Sequence, residues 1–556
     1  MYTSSSESDD VVRAGVARKR TRRGVRRDSA ADPPTHGGAA LHAAVGAAAT
    51  GETQAPRGAG ARNEQAGLTA AVPKAGLTAD TGPGGSTAVA GPPAAWPMHL
   101  RAALAAQGQV ATQQRALTMA TAFTGLGSQR RMWDITGCIV REVAAAEPKV
   151  HAKQFLRDNA LMAEHHFDDI RTLTAGGRAP CARHGGQLCT VPVERVDFFA
   201  GGFPCQPTSA QRRSRHRIKP EEHRLFDVVR WLVEYLRVRR PRVALLEQTT
   251  GALHQSVYDG APTSECEWLR AQVADIYHMH VAALDVRPWI RMRRNRVWIF
   301  LVSRDVCGHN CAEEAARLAA AAQAHRRRTD AASLRAVLYT PAHRRWQHIL
   351  HLVGEDRRAA DRGGRDGHDP PPAWWQKCAH MRARWRAESR PWADDHPLAA
   401  ALWRGCCRTD RTAEVLEVTL LHACARRGLN PRSPRDLEQA MTTTWCDYSQ
   451  NHFATSEDEP GTVCTSTRLY DYVHDRAVLA EEVLLALGWC AGPPLETDLL
   501  QGAELHDLVG ECQALQPLAV ASWALLLTAR DALSGLWSDG ATASAQGPAA
   551  PGRHSD

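Results

Sequence analysis

Long hydrophobic runs are missing from this 556-residue chain. No stretch is long enough to span a bilayer. The nearest, "LAVASWALLLTA" near the C-terminus, reads as a buried helix. Aromatic residues make up only 6% of the chain, and lysine is scarce. The imbalance behind a formal charge of +8 and a pI near 8.8 therefore lies in arginine, which favours bidentate phosphate or carboxylate contacts. Fifteen cysteines in so long a chain are scattered and do not make a disulfide scaffold. The opening "MYTSSSESDD" is polar and acidic where a secretory leader carries an apolar core. A reducing compartment is the expected home. No internal repeat is visible.

What is present divides along the chain. The 44% hydrophobic content can bury a sizeable core, and the length suits two to four domains. Residues 1–95 are rich in Ala, Gly, Pro, Ser and Thr and poor in large apolar side chains, so a disordered tail is expected. Its basic cluster "ARKRTRRGVRR" suits a nuclear signal, a nucleic-acid tether or a plain solvated tail. The first implies a nucleus in a eukaryote; otherwise the cytoplasm is expected. Between 115 and 305 short β-prone runs alternate with helical ones. "ALTMATAF", "GCIVREVAAAE", "VDFFAG", "RVALLEQ" and "RVWIFLVS" predict strands. "KVHAKQFLRDN", "HRLFDVVRWLVEYLRV" (which stops before Pro241) and "EWLRAQVADIY" predict helices. This order predicts an α/β domain with a doubly wound, mostly parallel sheet. Residues 306–465 gather Arg, His and Trp (Trp346, Trp374, Trp375, Trp385, Trp392, Trp403) and read as a separate region. Helical texture returns over 466–535, and 538–556 reads as frayed.

Ligands of such sheets sit at the carboxyl ends of the strands. The glycine turn, the turn holding Cys205, and Glu247 fall at predicted strand ends and can meet in one crevice. "FTGLGS" is a glycine turn after the first strand, Glu147 ends the second, and Asp169 lies in the polar stretch "FDDIRTL". Each alone is an ordinary turn or loop acid. Together they suit a nucleotide-type ligand, with Glu147 on a ribose hydroxyl and Asp169 on an adenine amino group. The stretch "VDFFAGGFPCQPTSAQRRSR" is more specific. A lone cysteine, Cys205, sits on a tight turn and arginines follow at once. A buried inert cysteine needs neither feature, whereas a nucleophile working beside a polyanion uses both, and cations would lower its pKa. "CARHGGQLC" and "CGHNC" have near-metal spacing, but neither completes a four-ligand set, so no metal is expected.

In order and spacing these motifs resemble those of the DNA (cytosine-5) methyltransferases. "GGFPCQPTS" resembles the Pro-Cys nucleophile motif, "AFTGLGS" the first glycine motif, "AAAEPKVHAKQFLRDN" the second motif and "DDIRTL" the third. "RVALLEQTTGAL" resembles the Glu-Asn-Val strand, with Gln248 and Thr249 in place of Asn and Val. "RRNRVWIFLV" resembles the Arg-x-Arg strand, though "RPWIRM" stands where Pro-Gln is usual. "LVGECQALQPLAVA" resembles the last motif, with Gly510 kept and Glu511 in place of Asn. The resemblance covers about 115–305 and, more loosely, 475–530.

It implies an S-adenosylmethionine-dependent methyltransferase fold, with Phe123, Gly125, Gly127, Glu147, Asp169, Ile170 and Gly510 at the cofactor. It implies methyl transfer to C5 of cytosine in DNA after base flipping, through an adduct of Cys205 at C6. Glu247 would serve N3, and Arg294 or Arg296 would serve O2. Gln206, Ser209, Arg212, Arg213 and Arg215 would meet DNA, and 306–465 would be the target recognition region. DNA is the expected partner and no membrane is expected. A cytosine-5 methyltransferase acting on RNA, or a catalytically silent DNA-binding relative, would share most of these features; the changes at 248, 249 and 511 motivate the latter.

Overall fold

The computed structural model describes residues 92–106, 112–206, 225–307, 310–325 and 331–340. It also describes 410–538 apart from 450–454 and a few scattered positions, together with His223, His343 and Arg345. The expectations for the tail before residue 92, for Ser209, Arg212, Arg213 and Arg215, for the six tryptophans named above and for the end after residue 538 lie outside the described residues.

The five predicted strand runs become β1 (Leu117–Ala122), β2 (Val140–Ala146), β6 (Phe198–Gly202), β7 (Val243–Thr249) and β9 (Asn295–Ser303), and the structure adds β3 (His165–Phe167), β4 (Arg178–Cys181), β5 (Gln187–Thr190) and β8 (Tyr277–Asp285). Seven of them form one sheet in the order β8-β9-β7-β6-β1-β2-β3, and β4 and β5 form a separate hairpin. The strands from β7 to β3 are parallel, and β9 runs antiparallel to both β7 and β8. This is the expected doubly wound, mostly parallel sheet, with the closing strand turned around. β8 was not anticipated. Most of its residues are only half-buried, so its sequence lacks the apolar run of a central strand.

Both faces of the sheet are covered, which is why β7 and β9 read as unbroken apolar runs. Trp298, Phe300 and Val302 of β9 join one buried core, and Val297, Ile299 and Leu301 join the other. The helices sort accordingly. α1 (Trp96–Ala106), α2 (Ser128–Thr136) and α3 (Val150–Asp158) pack on the first face. α4 (Ile170–Ala175), α5 (Phe226–Arg239) and α6 (Glu265–Val273) pack on the second. α5 buries Phe226, Val229, Leu232, Val233 and Leu236, a three- and four-residue spacing that aligns them on one stripe. It ends at Arg240 in the left-handed region, one residue before Pro241, which cannot donate a helical hydrogen bond.

Two boundaries differ from those drawn on sequence. α7 (Cys311–His325) lies beyond residue 305 yet buries Ala312, Ala315, Ala316, Ala319 and Ala322 in the first core. Its small side chains gave no contrast with the polar region after it. A third, smaller core joins α8 (Asp410–Arg427), α9 (Pro434–Thr443) and β10 (Thr444–Asp447). β10 pairs with β11 (Leu469–Asp471), so this unit crosses the line placed between 465 and 466. The chain then runs through α10 (Ala480–Ala486) and α11 (Gly502–Glu511) into α12 (Leu515–Thr528), which is buried almost all round and carries "LAVASWALLLTA". Among the described residues no helix is long and apolar enough to cross a membrane.

α1 also precedes the expected start of the domain. Trp96 is 2% exposed, and its indole Nε1 donates to the Gly488 carbonyl at 2.9 Å. Trp96→Ala is therefore expected to cost about 3–5 kcal/mol. Urea denaturation read by far-UV circular dichroism checks this; an unchanged midpoint would detach α1 from the core.

Candidate functional site

The chain leaves β1 towards β2 and β3 on one side, then crosses back to β6 and β7 on the other. A reversal of strand order opens a crevice at the carboxyl ends, and two clusters of expected residues lie along it.

The first surrounds the glycine turn. Phe123 has φ 56, in the left-handed region that a bulky residue enters only under constraint. Its N–H donates to the Ala146 carbonyl at 2.8 Å, which ties the turn to the end of β2. Gly125, also at positive φ, has open space where a side chain would project. Gly127 differs: a Cβ there would sit 2.6 Å from Leu156 Cδ2, so packing against α3 requires the glycine. Glu147 is buried, and its two oxygens accept from Gly125 N–H at 2.8 Å and Lys149 N–H at 2.9 Å. Burial pushes its pKa up, and these two backbone donors pull against the shift. Asp169 caps α4 through Arg171 N–H and accepts from Arg171 Nε, both at 2.8 Å. The Arg171 guanidinium lies over the Trp231 ring. Ile170 is a core residue, 3% exposed.

Gly510 is held by a close backbone approach. A Cβ there would fall 2.1 Å from the backbone nitrogen of Thr465, so its position answers to a backbone crossing. Its neighbour Glu511, the departure from Asn, forms an ion pair with Lys149 Nζ at 2.5 Å, and Lys149 also bonds Asp507 at 2.7 Å. α11 is thereby fastened to the segment that follows Glu147.

The second cluster holds the cysteine. Cys205 follows β6 through Phe203 and Pro204, and Gly202 lies in register with Glu247 of β7. A side chain at Gly202 would press on Glu247 Oε2 and the Gln513 amide. Glu247 is buried, and its Oε1 bonds Arg296 Nε at 2.8 Å across the β7–β9 ladder. Gln248 replaces the expected Asn but keeps an amide under the turn: its Nε2 lies 3.4 Å from the carbonyls of both Phe203 and Pro204. Gln206 follows with its Oε1 buried.

Burial pushes the Cys205 thiol up to about 11; Arg296 acts in the opposite sense, while Glu247, Cys464 and Glu511 add to the rise. The sequence suggested a thiol lowered by cations. In the described residues burial outweighs them.

Arg294 does not join this group. It is 2% exposed, and its guanidinium donates to the carbonyls of Val463 (2.8 Å), Gly510 (3.3 Å) and Cys512. These bonds clamp the C-terminal return onto the sheet, so of the two arginines only Arg296 faces the Glu247 carboxylate.

Sequence reasoning missed Gln129 and Gln513. Gln129 Nε2 donates to Gln513 Oε1 at 2.6 Å, linking the start of α2 to the residue beside Gly202. Their adjacency to the two glycine motifs was the available signal. It also left "CARHGGQLC" one ligand short, whereas the structure brings His165 of β3 beside it.

Two outcomes follow from this geometry. Alkylation of Cys205 by iodoacetamide is expected to rise about tenfold per pH unit from pH 7 towards its raised pKa, because only the thiolate reacts. Arg296→Ala removes the cation that opposes the shift, so it should slow alkylation further at each pH; peptide mass spectrometry reads both, and a plateau near neutrality contradicts the raised thiol. Gly510→Ala is expected to destabilise the fold by roughly 2–4 kcal/mol, since two backbones must separate. A melting temperature unchanged from the parent would remove the crossing argument.

Residues 117–262, which hold the glycine turn, Glu147, Cys205 and Glu247, match the family model for C-5 cytosine-specific DNA methylases. No curated protein matches the chain. Among solved structures the chain is similar to a prophage-encoded E. coli protein assigned as a DNA modification methyltransferase, at 12% identity and TM-score 0.38, over 76% of this chain and 99% of that one. It is also similar to the S. pombe Dnmt2 methyltransferase, at 10% identity and TM-score 0.35, over 74% and 98% of the two chains. A Spodoptera frugiperda DNMT2 mutant gives 11% identity and TM-score 0.36, over 74% and 100%. Over this matched segment, which carries the cysteine turn and the strand-end acids together, the chain is similar to the C-5 cytosine-specific DNA methylases.

Proposed function

We propose that the protein transfers a methyl group from S-adenosylmethionine to C5 of cytosine in DNA through a covalent Cys205 adduct. The observation that carries this reading is the convergence of Cys205, Glu247 and Arg296 beside one strand end, with Glu247 and Arg296 held 2.8 Å apart. The cofactor half fits a nucleoside ligand. Gly125 leaves open space, and Glu147 and Asp169 end or follow neighbouring strands β2 and β3. Phe123, Gly125, Glu147 and Asp169 would hold S-adenosylmethionine, which supplies an electrophilic methyl group when bound. Glu147 would exchange a backbone partner for a ribose hydroxyl, and Asp169 would exchange Arg171 for the adenine amino group.

The remaining steps belong to the chain's own side chains. A cytosine inside a duplex hides its ring edge, so the base must be flipped out. The Cys205 thiolate adds to C6, forming the sulfur–carbon bond as the C5–C6 π pair becomes available at C5. Negative charge spreads to N3 and O2. Glu247 delivers a proton to N3, and Arg296 donates to O2. Once C5 carries the methyl group, its proton leaves to solvent, Cys205 is expelled as thiolate and the N3 proton returns to Glu247, which restores the aromatic ring. The raised thiol sets one requirement: the proton must leave Sγ to solvent as the base binds, and Arg296 is the cation that favours the thiolate. Gln206, together with Ser209, Arg212, Arg213 and Arg215, is proposed to meet the DNA backbone, and the basic cluster before residue 28 to act as a nuclear signal.

Duplex DNA containing 5-fluorocytosine tests the proposal, because fluorine cannot leave as a proton does. A covalent complex is expected that depends on S-adenosylmethionine and is lost in Cys205→Ala. Arg296→Ala should slow trapping about a hundredfold, from roughly 3 kcal/mol of lost charge stabilisation. Glu247→Gln should slow it too. Trapping of a fluorinated structured RNA in place of DNA would transfer the substrate to RNA. A folded, cofactor-binding protein that traps neither would leave a silent binding protein.

A further inference from the structure

Away from the crevice, four side chains meet that the catalytic reading does not use. His165 opens β3, the edge strand of the large sheet. Cys181 closes β4, His184 lies in the single 3-10 turn that follows, and Cys189 lies on β5. Their ligand atoms all fall within 4.8 Å of one another. His184 Nδ1 is 3.3 Å from the sulfur of both cysteines. The hairpin register explains why the thiols converge. Cys181 pairs with Gln187 and Cys189 with Ala179, so the cysteines are diagonal neighbours on one face of the β4–β5 ladder.

Two further observations point to a missing ligand. A ring nitrogen of His165 gathers with the other three donors, and the Nδ1 atom of this histidine is buried with no hydrogen-bond partner. The backbone N–H of His166 donates to Cys181 Sγ at 3.3 Å, a contact that supports a metal-bound thiolate. The hairpin itself has little else to hold it. Between Arg178 and Thr190 only Cys181 is fully buried, and Leu188 is 55% exposed. A two-stranded hairpin without an apolar face is marginal alone.

We infer that His165, Cys181, His184 and Cys189 form a structural zinc site that fastens the β4–β5 hairpin to the edge of the sheet. Two thiolates and two imidazoles are a closed tetrahedral set with no position left for water, which suits zinc in a structural role. Zinc bonds of about 2.0–2.3 Å place ligand atoms about 3.3–3.8 Å apart, so the cluster need contract by only about an ångström. The spacing also explains why the sequence concealed the site. Cys-x2-His-x4-Cys supplies three ligands, and the fourth lies sixteen residues before Cys181, on another element. Cys307 and Cys311, the other cysteine pair noted on sequence, are bonded to each other and belong to no such group among the described residues. β3 ends at Phe167, two residues before Asp169, so the metal would steady the strand that presents that acid.

The test uses the full chain purified from zinc-supplemented cells. Elemental analysis of the parent and of a Cys181→Ser/Cys189→Ser variant should differ by one zinc per chain, while Cys490→Ser should match the parent. In the parent, iodoacetamide should label Cys181 and Cys189 only after chelation, and zinc should restore their protection. Cobalt added to the chelated parent should give the thiolate charge-transfer and ligand-field bands of a tetrahedral site. The labelling and cobalt arms use unsubstituted protein, so they decide even where the variant fails to fold. Equal zinc in parent and variant, thiols that label regardless of zinc, or a Cys181–Cys189 disulfide would each overturn the assignment. None of these readouts depends on methyl transfer.

Discussion

The reversal of strand order at β1 is the constraint on which the site depends. β2 and β3 extend the sheet one way and β6 and β7 the other. Parallel strands present their carboxyl ends at one rim, so the residues that leave β1, β2, β6 and β7 share a crevice although they span 117–249 in sequence. The glycine turn, Glu147, the Pro-Cys turn and Glu247 all depend on that rim. β9 then runs back antiparallel to β7, which sets Arg296 against Glu247 from the opposite chain direction.

Of the four departures from the family pattern at 248, 249, 289 and 511, three have a physical account. Gln248 reaches the carbonyls of Phe203 and Pro204, so an amide still supports the nucleophile turn. Glu511 meets Lys149, which also holds Asp507 and lies two residues past Glu147. Trp289 stands where a Pro-Gln pair was expected and is buried in the first core. Thr249 has no such account: its hydroxyl is buried without a partner. The changes therefore preserve contacts between the catalytic segment and the C-terminal return, and Arg294 adds to them by spending its donors on carbonyls of that return.

The sheet was legible because strands buried on both faces read as dense apolar runs, and because turns at strand ends carry glycine or proline. β7 and β9 are the clearest cases. β8 was hidden by its half-buried register and α7 by its alanines, neither of which gives contrast. In the site, residues fixed by local motifs (Glu147, Cys205, Glu247) were readable. What required the structure was anything decided by contacts distant in sequence. Arg294 and Arg296 are two residues apart on one strand, yet one clamps carbonyls and the other faces the carboxylate. Gly125 and Gly127 look alike in sequence, and only the position of Leu156 separates a ligand-facing glycine from a packing one. His165 is a lone histidine until the hairpin folds back on it.

The buried cysteine raises a last question of energetics. A thiol held near 11 is mostly protonated at neutral pH, so the proposed nucleophile rests in its unreactive form. Burial is also what makes Arg296 effective, because a guanidinium interacts more strongly in a water-poor site than at the surface. In this structure that guanidinium is engaged by Glu247. Once a base brings N3 towards Glu247, the carboxyl gains a second partner and the arginine is less fully committed to it. In the proposed reaction, the same entry that presents C6 to sulfur would thus shift the local balance towards thiolate. Coupling of this kind keeps a nucleophile quiet until substrate arrives, and it requires that Cys205, Glu247 and Arg296 share one buried volume.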